Sequence, residues 1–172
     1  MPIEVIDAAE EHLPAIAAIY AGATEGPATF DFDAPTVDWW RGVLADNGPA
    51  ANELLVAVED GEVLGYAKSG RFKERPGYDT TRETSAYVHE DHRGRGVGTA
   101  LYTELFGRLD RSGLRTAVAG VTQPNPASDR LHAAFGFTEV GTFVDVGEKF
   151  GEPWSVRWYQ RPLAGGPGRA GG

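Results

Sequence analysis

The sequence predicts an α+β fold with the element order βααβββαβαββ. Three observations carry that reading. Two strand-like runs meet at Asp60-Gly61, a dipeptide that favours a tight hairpin turn, so this stretch is antiparallel. A β-prone run at residues 84–88 passes through closely spaced glycines into an amphipathic helix, where Val97, Leu101, Leu105 and Leu109 recur every four residues beside Tyr102 and Phe106. Two helix-like segments follow one another near the N-terminus, and a pair of strands closes the chain.

Taken in order, residues 3–6 form a short strand, and a helix over 9–22 places Leu13, Ile16, Ala17, Ile19 and Tyr20 on an apolar face. Residues 26–32 are a loop. A second helix spans 36–45, capped by Asp33 or Thr36, with Trp39, Trp40, Val43 and Leu44 as its buried face. Strands at 53–58 and 63–70 flank the Asp60-Gly61 turn, and a strand at 82–88 feeds the glycine turn and a helix ending near residue 112. A strand at 115–121, a helix at 126–135 and strands at 137–144 and 154–160 complete the order. From residue 164 the Gly-rich end has nothing to build a core with and is expected to be a mobile tail, which leaves 1–163 as one domain.

A chain of 172 residues supports one core without staples. The absence of cysteine excludes disulfides, a thiolate metal site and a cysteine nucleophile. A net charge of −9 argues against a general nucleic-acid binder, which needs a basic face. No apolar run approaches the roughly 18–20 residues of a membrane span. Glu4 and Asp7 stand where a secretory signal would be basic, so a cytoplasmic protein is the expectation. The histidines are scattered without ligand-like pairing, so no metal site is expected, and His12, His89 and His92 read as surface or loop residues.

The turn Arg93-Gly94-Arg95-Gly96-Val97-Gly98-Thr99 has the makings of a pyrophosphate site. Its glycines let the backbone approach a ligand, the helix N-terminus contributes partial positive charge, and the arginines contribute full charge. A nucleoside-triphosphatase loop would close with Lys-Ser/Thr, and here Gly98 is followed directly by Thr99. A dinucleotide fold would place its glycines near the start of a βαβ unit with an acid about 20 residues on. Here the glycines are in mid-sequence and Asp110 falls inside the helix pattern. The same residues fit without a gap the R/Q-x-x-G-x-G/A signature of the GNAT superfamily of N-acetyltransferases. A second block, Asn125-Pro126-Ala127-Ser128-Asp129-Arg130-Leu131-His132-Ala133-Ala134-Phe135-Gly136-Phe137, resembles the N-x-x-S-x-x-L-H/Y-x-x-x-G-F segment of that superfamily. Lys73-x-Arg75-x-x-Tyr78, then Glu83-x-Ser85-x-Tyr87-Val88, is similar to its phosphinothricin/methionine sulfoximine acetyltransferases, as are Lys149-Phe150-Gly151 and Trp154. The pattern departs from some herbicide-inactivating members, which carry His where this chain has Phe150 or Trp154.

The resemblance implies a central mixed, mostly antiparallel sheet of six to seven strands with about four helices. Two parallel central strands part like a V and hold acetyl-CoA, the co-substrate. It assigns the pyrophosphate to Arg93, Gly94, Arg95, Gly96, Val97, Gly98 and Thr99. The pantetheine arm and thioester fall to Ala86, Tyr87 and Val88, with Asn125, Ser128 and Ala134 from the second block. The N–H of Val88 or its neighbour is expected to lie near the thioester. Alternation puts Glu83, Ser85 and Tyr87 on one strand face; residue type alone favours an ion pair of Glu83 with Arg82 or Lys73, and the resemblance makes Glu83 the candidate base for the acceptor ammonium. His132 is the candidate to return a proton to the departing thiolate, or else a helix histidine hydrogen-bonded to the cofactor or to backbone. Arg75, with Pro76, Gly77 and Tyr78, is the candidate for an acceptor carboxylate, and Lys149 for closing the site. Trp154 and Trp158 share a strand face suited to a homodimer. The expected function is direct acetyl transfer from acetyl-CoA to the amine of a small amino-acid analogue. Two alternatives stay open: another amine acceptor (a polyamine, aminoglycoside or protein N-terminus) and a non-catalytic CoA-binding sensor.

Overall fold

In the computed structural model, residues 2–48 and 52–166 are described. Alternating and continuous apolar runs give seven strands: β1 (Glu4–Asp7), β2 (Leu54–Glu59), β3 (Glu62–Arg71), β4 (Thr81–Val88), β5 (Thr116–Gln123), β6 (Thr138–Lys149) and β7 (Glu152–Pro162). The helices are α1 (Leu13–Thr24), α2 (Val37–Ala45), α3 (Val97–Leu109) and α4 (Pro126–Ala134). The element order is the one the sequence predicts. The strands form one mixed sheet, β1-β2-β3-β4-β5-β7-β6, antiparallel throughout except where β4 runs beside β5.

Each face of the sheet carries its own core. On one, Leu101, Leu105 and Leu109 of α3 are fully buried against Ala67, Ala117 and Ala119. Burying a leucine side chain stabilises by about 1.5–3 kcal/mol, so the four-residue stripe suffices to dock α3. On the other face, Leu13, Ile16 and Ile19 of α1 and Trp40 of α2 pack with Leu54, Val56 and Tyr66. Thr36 caps α2, its side chain accepting from the Trp39 N–H. Trp39 departs from the expected buried face: the helical step that sinks Trp40 leaves its neighbour about half exposed.

The β4–β5 pairing is short. It joins Thr81 to Thr116, Arg82 to Ala117 and Glu83 to Val118, and stops there. Beyond Glu83 the strands diverge, each still paired on its outer side, β4 with β3 and β5 with β7. This is the expected parting of two parallel strands.

Two features differ from the sequence reading. The closing strands are longer than expected and meet at Phe150-Gly151, both at positive φ. Irregular register between Glu139 and Gly141 and between Phe143 and Gly147 interrupts the alternation that would have shown the full length of β6. The start of the expected tail is tied down: the Ala164 N–H donates to Asp110 Oδ1 at 3.0 Å, and the Gly166 N–H to the Leu163 carbonyl. Residues 167–172 lie outside the described residues.

Candidate active site

The gap between β4 and β5 presents backbone. The His89 N–H donates to the Leu64 carbonyl on β3, and in an antiparallel pair alternate residues face the partner. Tyr87 and Ser85 therefore turn their amides toward β3, and Val88 and Ala86 turn theirs into the gap. With no strand opposite them, these are donors held ready along one wall. Thr84 Oγ1 closes the apex by donating to the Val118 carbonyl at 3.4 Å.

Immediately after β4, a turn at Glu90–His92 leads into the glycines. Gly94 and Gly96 have φ of +75° and +83°, the left-handed region that glycine enters without a Cβ penalty. Gly96 is the N-cap of α3, whose first turn carries no acid. Its unpaired N–H groups and dipole make an electropositive end. Gly98 sits where α3 meets α4, a Cβ there falling 3.4 Å from Leu131. The two arginines differ. Arg93 is exposed, with no ion-pair partner among the described residues, and so is available to an anion. Arg95 turns to the β2–β3 hairpin, donating to Glu59 Oε2 at 2.5 Å and lying 3.0 Å from His92 Nδ1. Its guanidinium holds the Glu59 carboxyl below the usual range.

Asn125 caps α4, its Oδ1 accepting from the Ser128 N–H at 3.1 Å. Ala134 is exposed at the other end of that helix. His132 is 4% exposed and engaged at both ring nitrogens: Nδ1 lies 2.8 Å from the Ser128 carbonyl and Nε2 3.2 Å from Tyr102 Oη. The ring stacks on Tyr159 at 5.3 Å. Burial lowers its pKa. The Ser128 carbonyl can only accept, so Nδ1 carries a proton there, and Nε2 is occupied by the Tyr102 hydroxyl. Of the two expectations for His132, these contacts match the backbone-bonded helix histidine, which joins α4 to α3.

On the opposite face of β4 the site is made of side chains. Glu83 lies at the apex of the parting strands, with its side chain open to the cleft. Burial by surrounding protein raises its carboxyl above the ordinary range, while Lys68 and Lys73 pull the other way. Directly across, Gly70 pairs with Glu83, and a Cβ added to Gly70 meets nothing within 4 Å, so the floor beside the carboxylate is open. Tyr87 stacks on Tyr66 at 5.6 Å and meets Tyr20 of α1 edge-on at 5.2 Å. Tyr20 Oη donates to Asp31 Oδ2 at 2.5 Å and lies 2.7 Å from Thr29 Oγ1, fixing the 26–32 loop against α1. Burial and that carboxylate push the Tyr20 hydroxyl up to about 12. Phe30 seats on Gly147, where a Cβ would lie 2.5 Å from its ring.

Arg75, Pro76, Gly77 and Tyr78 form an exposed turn between β3 and β4, with the Tyr78 N–H donating to the Arg75 carbonyl at 2.9 Å. Tyr78 meets Phe72 at 5.7 Å, and Phe72 meets Trp158 at 6.0 Å. Trp158 lies over Gly120, on the same side of the sheet as Glu83. Lys149 is corrected. Only 1% exposed, its ammonium donates to the carbonyls of Thr24, Gly26 and Thr29 at 2.6–2.9 Å. Those acceptors saturate it, so it fastens the end of α1 and the loop that follows, and has no donor left for a ligand. Sequence reasoning missed Lys68, Gly70, Tyr20 and Asp31 as parts of this wall. None sits in a local motif, and only the strand register and α1 packing bring them together.

A sheet parted beside a glycine-capped helix, with a carboxylate at the apex, defines an acyl-transfer fold. The chain matches the Acetyltransferase (GNAT) family over residues 13–137 and belongs to it. It is 42% identical to a phosphinothricin N-acetyltransferase of Streptomyces coelicolor, over 94% of this chain and 96% of that one. It is 38% identical to an L-methionine sulfoximine/L-methionine sulfone acetyltransferase of Pseudomonas aeruginosa, over 95% and 96%. Its fold is also that of a phosphinothricin acetyltransferase from Sinorhizobium meliloti solved in complex with acetyl-CoA, with a TM-score of 0.91, 31% identity, and coverage of 99% and 95%.

Proposed function

We propose that the protein transfers an acetyl group from acetyl-CoA to the α-amine of a small amino-acid analogue of the phosphinothricin, methionine sulfoximine or methionine sulfone type. The observation that carries this reading is the position of Glu83, where the β4–β5 pairing ends: one strand offers free amides on one side and a carboxylate on the other. The gap fits the proposed co-substrate. The Ala86 and Val88 N–H groups meet an extended pantetheine arm as a missing strand would, and the α3 N-terminus with Arg93 meets the pyrophosphate. The names of the Streptomyces and Pseudomonas relatives support the acceptor class.

In this reading Glu83 takes the ammonium proton, directly or through water, the neutral amine attacks the thioester carbon, and the tetrahedral adduct breaks its C–S bond to give the amide and the CoA thiolate, which leaves as the thiol with the proton that the amine nitrogen loses. The gap-facing N–H groups steady the developing oxyanion. Arg75 grips the acceptor carboxylate bidentately, an interaction worth roughly 1.5–3 kcal/mol. Thiol release from acetyl-CoA is the test, with phosphinothricin, methionine sulfoximine, methionine sulfone and spermidine as acceptors. The amino-acid analogues should be acetylated and spermidine should not. Arg75→Ala should raise the acceptor KM by roughly ten- to a hundredfold and leave the acetyl-CoA KM unchanged. Equal turnover of an acceptor and its carboxamide would remove the amino-acid reading in favour of another amine.

A further inference from the structure

We infer that Lys68 is a specificity-determining residue that favours acceptors carrying a second negative charge at the far end of the side chain. The inference rests on the acetyl-transfer reading above and names the acceptor class more closely.

The strand register places Lys68. It pairs with Ser85, and Gly70 pairs with Glu83, so Lys68 stands diagonal to Glu83 on the same sheet face. Diagonal neighbours in a sheet are roughly 7–8 Å apart, too far for a direct ion pair and close enough to bracket a bound molecule. Between them, the floor over Gly70 is open. Lys73 and Arg75 follow the end of β3, on the other side of Glu83. An acceptor with its amine at Glu83 and its carboxylate at Arg75 therefore directs its side chain back along β3, toward Lys68.

The state of Lys68 makes it a reader of charge. It is partly buried, and burial works against its ammonium while Glu83 works for it. Among the described residues no carboxylate lies within ion-pair distance of its Nζ. A surface lysine has water for company, and a buried one normally has a carboxylate. Lys68 is deprived of part of the first and lacks the second. An anionic group delivered by the acceptor supplies the missing partner in a partly dry place, where a charged hydrogen bond is strongest. A neutral side chain of equal length supplies nothing and leaves the ammonium as it was.

The test compares kcat/KM for phosphinothricin, whose side chain ends in a phosphinate anion, with methionine sulfone, which is similar in length and neutral there. Wild type, Lys68→Met, Lys68→Gln and Lys68→Arg are measured at one pH. Wild type should prefer phosphinothricin. Lys68→Met and Lys68→Gln should lower the ratio of the two by about ten- to a hundredfold, chiefly through phosphinothricin. Lys68→Arg should hold it within about threefold, because the charge remains. Any change in Glu83 ionisation on removing Lys68 acts on both acceptors alike and cancels in the ratio. An unchanged ratio in the neutral variants, or a wild type that prefers the sulfone, overturns the inference and leaves acetyl transfer standing. Turnover of neither acceptor by wild type overturns both.

Discussion

On one side of β4 the groups proposed to meet a ligand are backbone: the Ala86 and Val88 amides, the left-handed glycines of the turn and the first N–H groups of α3. On the other side the proposed groups are side chains from separate elements: Glu83 on β4, Lys68 on β3, Tyr20 on α1, Phe30 in the 26–32 loop and Trp158 on β7. Backbone recognition suits a ligand that never changes. It depends on chain geometry, which many sequences can supply so long as glycines stand where φ is positive. Side-chain recognition suits a variable ligand, since one substitution alters the pocket and leaves the sheet intact. Damage to the two sides should therefore separate cleanly in kinetics.

The largest effect should come from Glu83→Gln. Removing a general base lowers kcat by about 10²–10⁴-fold. The active form is the carboxylate, and burial raises its pKa above the ordinary value of about 4.3. Wild-type kcat/KM should therefore rise with pH through a midpoint above that value, and the Gln variant should lose this limb. Acetyl-CoA binding, measured by calorimetry, should be unmoved. A Gln variant within about twofold of wild type would take Glu83 out of the reaction.

Gly96→Val attacks the backbone side. At φ +83° a β-branched residue is strained, although a Cβ there meets no protein atom within 4 Å. The cost is thus conformational, of order 1–2 kcal/mol or more, and relief means moving the amides that face the pyrophosphate. CoA affinity should fall roughly tenfold or further, with the acceptor KM nearly unchanged. Unchanged CoA affinity in a folded Gly96→Val protein would break the assignment of this turn.

The same contrast explains what was legible in the sequence. The backbone side is contiguous, from β4 through the turn into α3, so the glycine spacing and the stripe of Leu101, Leu105 and Leu109 disclosed it. Glu83 could be singled out because it lies on that same strand. The acceptor wall was not, because Lys68 and Gly70 acquire meaning only from the β3–β4 register, and Tyr20 only from how α1 packs on Tyr87. Lys149 misled for a related reason. A lysine near a predicted cleft suggests an anion, but here three carbonyls of a loop about 120 residues earlier in sequence reach it first. Sequence pattern shows which residues are charged, and only packing shows which charges are already satisfied.

The smallest kinetic effect should come from His132, which lies on the backbone side and tests whether that side needs any side-chain chemistry. Both its nitrogens are engaged and burial lowers its pKa. His132→Asn should change kcat by no more than a few-fold. It should lower stability by roughly 1–3 kcal/mol, the scale of lost buried hydrogen bonds. The pH dependence fixes the sign. Above about pH 6.5 the histidine is neutral in both folded and unfolded chains, and its contribution is complete. As pH falls below that value the unfolded chain takes up a proton that the folded one refuses, so stability is lost until the folded pKa is passed. The stability gap between wild type and His132→Asn, read by denaturant unfolding, should therefore be widest near neutral pH and narrow below about 6.5. A protein in which His132→Asn instead cost more than tenfold in kcat, with stability and its pH profile unchanged, would return the proton-donor role to this histidine. It would also show that the backbone alone does not carry that side of the cleft.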